Sequence, residues 1–140
     1  MTLIQIVMIG FVVLELSNIL MLYFAPGSKI GNAAGIFTAW EKSKQYPEIH
    51  DFIKYLMYWV AGSKLIFILL LTVIILYADA QTQRICALVM VLAIASFYWR
   101  LFPLIRKLDQ SGHIAPRNYS MILAGMIFFM IAMFLIALLV

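Results

Sequence analysis

Charge is what this chain has least of. Of its 140 residues only 11% are Asp, Glu, Lys or Arg, while 66% are hydrophobic, and the mean hydropathy is +1.04. A soluble domain of this length leaves too much surface in water to hide so apolar a composition, so lipid is the natural solvent. The single cysteine, Cys86, excludes an internal disulfide and any multi-thiolate metal site. There is no CxxC pair, no GxSxG elbow and no glycine-rich phosphate loop. The two histidines, His50 and His113, both fall outside the long apolar runs, which excludes bis-histidine haem ligation between helices. A basic helix or stripe is also missing. The Lys and Arg residues are spread over separate loops, so the net charge of +4 speaks for membrane topology and against nucleic acid as a partner. No repeat or low-complexity segment occurs, and the length allows one domain with no separate soluble module.

What is present is four apolar runs, Leu3–Phe24, Tyr55–Tyr77, Ile85–Pro103 and Tyr119–Val140. Each is about 20 residues, the length a helix needs to cross about 30 Å of hydrocarbon. With their flanking signals they predict transmembrane helices over about 3–24, 47–77, 85–105 and 117–140. Pro47 followed by Glu48 suits a first helical turn, with Ile49, Phe52, Ile53 and Leu56 continuing an apolar face, and Pro116 is a candidate opening for the fourth helix. The first run has no Lys or Arg ahead of it and no small-x-small cleavage site, so it reads as a retained helix and not a signal peptide. The expected fold is therefore all-α, an integral membrane four-transmembrane-helix bundle forming a single membrane domain over 1–140.

Basic residues set the expected orientation. Lys29, Lys42, Lys44 and Lys54 lie between the first and second runs, and Arg106, Lys107 and Arg117 between the third and fourth, whereas the other side carries only Arg84 beside Asp79. The positive-inside rule places both long loops in the cytoplasm and both termini outside a cell membrane. Tyr23, Tyr55, Tyr58, Trp59, Tyr98, Trp99 and Tyr119 cluster near the same inner boundary, as an aromatic belt does.

The first long loop carries structure of its own. Ala25-Pro26-Gly27-Ser28 is a turn signal with Ser28 placed to cap a helix. Ile30, Ala33, Phe37 and Trp40 then recur at helical spacing, with Lys29, Asn32 and Lys42 elsewhere on the wheel. That pattern predicts a short cytoplasmic interfacial amphipathic helix over about 28–44, the plainer alternative being a surface helix that covers the base of the bundle. Gly31 and Gly35 form a GxxxG spacing, a weak signal outside a membrane run.

The polar residues inside the runs carry the functional expectation. Glu15 and Lys64 each lie about nine residues from the inner end of their helix, hence about 13 Å deep at 1.5 Å per residue. Arg100 lies about 7 Å deep by the same arithmetic. A charge at mid-depth needs a partner, a cavity or a neutralising proton. Side chains tilt toward a helix N-terminus, so Arg100 could rise toward Glu15 while Lys64 descends toward Asn18. Two pairings therefore compete, Glu15–Lys64 and Glu15–Arg100. Asn18 follows Glu15 on one helical face and Ser96 precedes Arg100 on another, which gives the candidate ligand- or ion-binding set Glu15, Asn18, Lys64, Ser96 and Arg100. Their plain structural roles are a register-fixing ion pair for Glu15 and snorkelling to the headgroups for Arg100. A second group, Glu48, His50 and Asp51 with Asp109 and His113, has the residue types of a metal or acid–base site, but its spacing matches no metal signature; His50, Asp51 and His113 are weak metal candidates only. No cofactor is expected.

Three functions fit these residues. The first is a transporter- or channel-like bundle, oligomeric because four short helices enclose little volume, handling protons or a small polar or anionic solute at Glu15, Lys64 and Arg100. Four helices with a glutamate in the first is also the plan of small multidrug exporters; the likeness stops there, because Lys64 has no counterpart in that pattern and the loop charges are strongly biased. The second is a non-catalytic accessory or assembly protein whose buried charges fix packing or meet a partner's charges in the bilayer. The third is a lipid-binding or lipid-modifying protein using His50, Asp51 and Arg106 at the inner interface. Beyond the bilayer, the partners expected are a further copy of the chain or a membrane protein, and an enzyme is the less favoured class.

Overall fold

The computed structural model describes residues 1–30 and 33–140, and all of its regular structure is helical. Six α-helices follow in chain order: α1 (Leu3–Phe24), α2 (Thr38–Ser43), α3 (Pro47–Tyr77), α4 (Ala80–Ala95), α5 (Phe97–Gln110) and α6 (Tyr119–Leu139). Leu3–Phe24, Pro47–Tyr77, Ala80–Gln110 and Tyr119–Leu139 are each long and apolar enough to cross a membrane.

Local chemistry explains the helix ends. Thr2 and Gln5 cap α1 reciprocally, Gln5 N–H donating to Thr2 Oγ1 at 3.3 Å and Thr2 N–H to Gln5 Oε1 at 2.9 Å. Pro47 opens α3, where its missing N–H removes no hydrogen bond. Asp79 caps α4 by accepting from Thr82 N–H at 2.8 Å. The buried Gln83 amide then donates to the carbonyls of Ile74, Ile75 and Ala78 at 3.3, 3.2 and 3.1 Å, which satisfies the end of α3 across a two-residue link.

The third apolar stretch is not the single helix over 85–105 that its hydropathy suggests. It starts at Ala80, ends at Gln110 and breaks at Ser96. The Ser96 hydroxyl donates to Ala93 O at 2.6 Å, while Ser96 N–H is shared between Leu92 O and Ala93 O. Such back-bonding tightens the turn and redirects a helix. Pro103 within α5 removes a further backbone donor. At the last helix, Pro116 remains in the loop and α6 starts at Tyr119.

Segment 28–44 departs from the single amphipathic helix its spacing predicts. It forms a 3-10 turn over Ala34–Ile36 and the short α2. Gly35 packs so tightly on the Ala25–Ser28 turn that a β-carbon there would collide with the Gly27 carbonyl, and Ala34 N–H donates to Pro26 O at 3.1 Å. Ser28 closes a local turn with Ile30 N–H at 3.1 Å and caps no helix. The stripe of apolar positions divides: Ala33 and Trp40 are buried against the protein, as is the neighbouring Ile36, Phe37 is half-buried and Ile30 is exposed. Gly31 and Asn32 lie outside the described residues. The two long loops join through an isolated antiparallel bridge between Phe37 and Ile114, with Thr38 N–H donating to His113 O and Ala115 N–H to Ile36 O.

Packing centres on α1. At the end carrying the termini, Met8 and Phe11 of α1 share a core with Leu71 of α3, Ala87 and Met90 of α4 and Phe134 of α6. Further along, Ile19 and Leu22 of α1 pack with Met57, Ala61 and Ile68 of α3 and with Trp40 of α2. At the loop end, Ile36, Ile105 and Ile114 form a third cluster beneath the α5–α6 corner.

Candidate functional site between α1 and α3

The buried faces of α1 and α3 recur at three- and four-residue steps: Ile4, Val7, Met8, Phe11, Ile19 and Leu22 on one, Met57, Ala61, Ile68 and Leu71 on the other. That is the spacing of a knobs-into-holes seam. Each series has one missing apolar position. Glu15 stands where α1 lacks its knob and Lys64 where α3 lacks its own. The helices run antiparallel, with the Phe11 and Phe67 rings 6.1 Å apart on one side and the Tyr23 and Tyr58 rings stacked 6.0 Å apart on the other. Between these contacts Lys64 Nζ donates to Glu15 Oε2 at 2.6 Å. The Glu15 side chain is 20% exposed and that of Lys64 30%. The apolar side chains above and below the pair limit its screening.

The rival pairing does not form. Arg100 is exposed on α5, its guanidinium 5.5 Å from the centre of the Trp99 ring. Ser96 is also exposed and is committed to Ala93 O. Asn18 is half-buried one turn from Glu15, and its side chain forms no hydrogen bond among the described residues. Of the five candidate residues, Glu15 and Lys64 meet, Asn18 adjoins them, and Ser96 and Arg100 lie elsewhere.

The loop candidates also separate. His50 lies against Trp40 with ring centres 4.5 Å apart, and its Nδ1 is 2.8 Å from Ser43 Oγ. Ser43 Oγ also donates to Trp40 O at 2.8 Å. His113 Nδ1 lies 3.4 Å from Thr38 Oγ1, and Asp51 pairs with Lys54 at 3.3 Å. Among the described residues no three His, Cys, Asp or Glu side chains come together as a metal site would require. Nearby, the exposed Glu41 carboxyl is held below its usual range by its hydrogen bond to the Lys44 ammonium.

A polar cluster that sequence spacing does not reveal ties α5 to α6. Asp109 is buried, and its Oδ2 accepts from Ser120 Oγ at 2.6 Å and Ser120 N–H at 2.9 Å. Its Oδ1 accepts from Asn118 N–H at 3.1 Å. Asp109 thus caps α6 from another helix, a role that Asn118, with φ at 65°, does not fill with its own side chain. Arg106 reaches the same cluster through Ser120 Oγ at 3.4 Å.

Clefts on the surface of the described residues include two at the ends of the helices. One, of about 540 Å³, lies at the termini between Thr2, Leu3, Arg84 and Val140; the other, of about 190 Å³, lies at the α5–α6 corner. Neither is lined by Glu15 or Lys64. Comparison with known proteins finds no matching family model, no matching curated protein and no matching solved structure.

Proposed function

We propose that the chain is a small polytopic membrane protein of accessory or assembly type, in which the Glu15–Lys64 pair fixes how α1 and α3 pack. The observation that carries this reading is the closure of the pair on itself, at 2.6 Å, within a seam whose buried side chains above and below it are apolar. A buried ion pair is a poor source of net stability, and its best-attested role is to select one register. The orientation that goes with this reading has the basic loops in the cytoplasm, because Lys29, Lys42, Lys44, Lys54, Arg106, Lys107 and Arg117 gather at one end and Arg84 stands beside Asp79 at the other. The exposed apolar residues of α3 and α6, such as Leu69, Leu70, Phe128 and Phe129, face lipid or a neighbouring membrane helix.

The test is purification of the tagged chain from its native membranes in mild detergent, with proteoliposomes in parallel. The expected result is a specific membrane partner, or a second copy, in fixed stoichiometry, with no solute flux from the chain alone. Proton-coupled flux that Glu15→Gln abolishes without unfolding would overturn it. That outcome belongs to a second reading, transport, which is supported by the partial exposure of both charges and by the uncommitted Asn18 beside them.

A further inference from the structure

The α5–α6 corner holds a cleft of about 190 Å³ lined by Arg106, Asp109, Gln110, Arg117 and Asn118. A cleft of this size, half open to the surface, has room for a phosphate-sized group with a few waters. Its charge is unbalanced. Two arginines and one carboxylate line it, and the carboxylate, which accepts from Ser120 and Asn118 and lies within the influence of Arg106, offsets only one of the two positive charges. Asp109 forms no ion pair with either arginine. Arg106 makes one long bond, to Ser120 Oγ, and Arg117 has no ion pair among the described residues.

The N-terminus of α6 is not the anion seat here. Asn118 and Ser120 N–H groups are taken by Asp109, and Tyr119 N–H donates to Pro116 O at 3.3 Å. What remains free is guanidinium N–H, in the fork geometry that matches phosphate oxygens, with the Gln110 amide at the rim. We propose that Arg106 and Arg117 form a binding site for a phosphate ester, with Asp109 holding the corner rigid so that the two cations stay apart and available. Asp109 orders the helix junction, and the ligand supplies the missing negative charge. The source that fits the position is the phosphate of an anionic lipid, because the cleft lies at the loop end, where Tyr98 and Trp99 flank the same helix. This lipid source rests on the membrane reading above; the phosphate chemistry does not.

The test uses the full-length chain in detergent, titrated with phosphatidylglycerol, with phosphatidylcholine and separately with inorganic phosphate, and followed by native mass spectrometry and thermal stability. Phosphatidylglycerol should bind and raise Tm while phosphatidylcholine should not, and Arg117→Gln should weaken that binding about tenfold. Arg106→Gln should do the same. Arg117 is exposed, so its variant keeps the measurement interpretable if loss of Arg106 disturbs the Ser120 contact. Lys107→Gln and Arg84→Gln, which leave the cleft intact, should bind as the wild type does. Competition by inorganic phosphate would also support the site and would identify the phosphate group alone as sufficient; lipid binding without such competition would assign it to lipid. Equal binding by Arg117→Gln and wild type, equal losses at Lys107 and Arg84, or no binding of either phosphate source would overturn the proposal. None of these outcomes depends on whether the chain has a protein partner or a transport activity.

Discussion

Lys64 meets Glu15 across the α1–α3 seam at 2.6 Å, at the one step where each helix lacks an apolar knob. The pair sits between the Phe11–Phe67 and Tyr23–Tyr58 contacts, so a shift of either helix by one turn would strand both charges among apolar side chains. The geometry accounts for why two costly groups occur at matching depth. Each is the condition for keeping the other.

A double-mutant cycle follows directly. Glu15→Gln or Lys64→Met leaves one uncompensated charge and should lower stability in detergent by about 3 kcal/mol. The double variant should recover to within about 1 kcal/mol of the wild type, giving a large coupling energy. Mild, additive losses would mean that the two charges are solvated separately and would remove the register argument.

Asp109 should behave as a remote cap. Asp109→Asn keeps the shape but loses the charge that draws Ser120 Oγ, Ser120 N–H and Asn118 N–H, and it should cost about 1–3 kcal/mol. Hydrogen exchange at Ser120 should accelerate while the Thr82 amide at the far end is unaffected. Uniform acceleration throughout the chain would show a global effect and not the loss of a cap.

Glycine offers a contrast within one protein. Gly35→Ala forces a β-carbon into the Gly27 carbonyl and should strongly lower Tm, because the obstacle is backbone and cannot swing aside. Gly10→Ala and Gly125→Ala meet nothing within 4 Å and lie inside helices. Each should be neutral or stabilising by about 0.5–1 kcal/mol, since alanine is the better helix former. A harmless Gly35→Ala would contradict the tight packing of the first loop on the Ala25–Ser28 turn.

Much of this architecture was legible in the sequence because hydropathy and length act through one variable, burial from water. The expected bounds 3–24 and 47–77 coincide with α1 and α3, and depth counted along those two helices set Glu15 and Lys64 at one level, while leaving Arg100 as a rival partner. The break at Ser96 was not legible. It depends on a serine bonding backward within its own helix, with no glycine or proline at the site to signal it. Segment 28–44 misled for another reason: Ala33, Ile36 and Trp40 are spaced equally well for a helix on lipid and for a folded cap on protein. Asp109 and Ser120 are eleven residues apart, beyond any local capping rule, and Gln83 likewise closes a helix other than its own. Polar contacts between elements leave no periodic trace.

The Asp79 carboxyl lies below its ordinary value of 3.8, first because Thr82 N–H donates to it and then because the Thr82 hydroxyl does. A group whose folded-state pKa is depressed contributes stability above its unfolded value and loses that contribution as pH falls through the folded value. The cap of α4 should therefore hold at neutral pH and weaken only below about pH 4, where an unfolded aspartate protonates. The change should appear first at the start of α4, as faster exchange of the Thr82 amide or fraying in NMR spectra. Asp79→Asn retains a capping oxygen but has no proton to gain, so its profile should stay flat through the same range. A wild-type profile that is equally flat would mean that Asp79 contributes no charge-dependent stability to the cap; a shared acid-induced loss would place the sensitive carboxylate elsewhere.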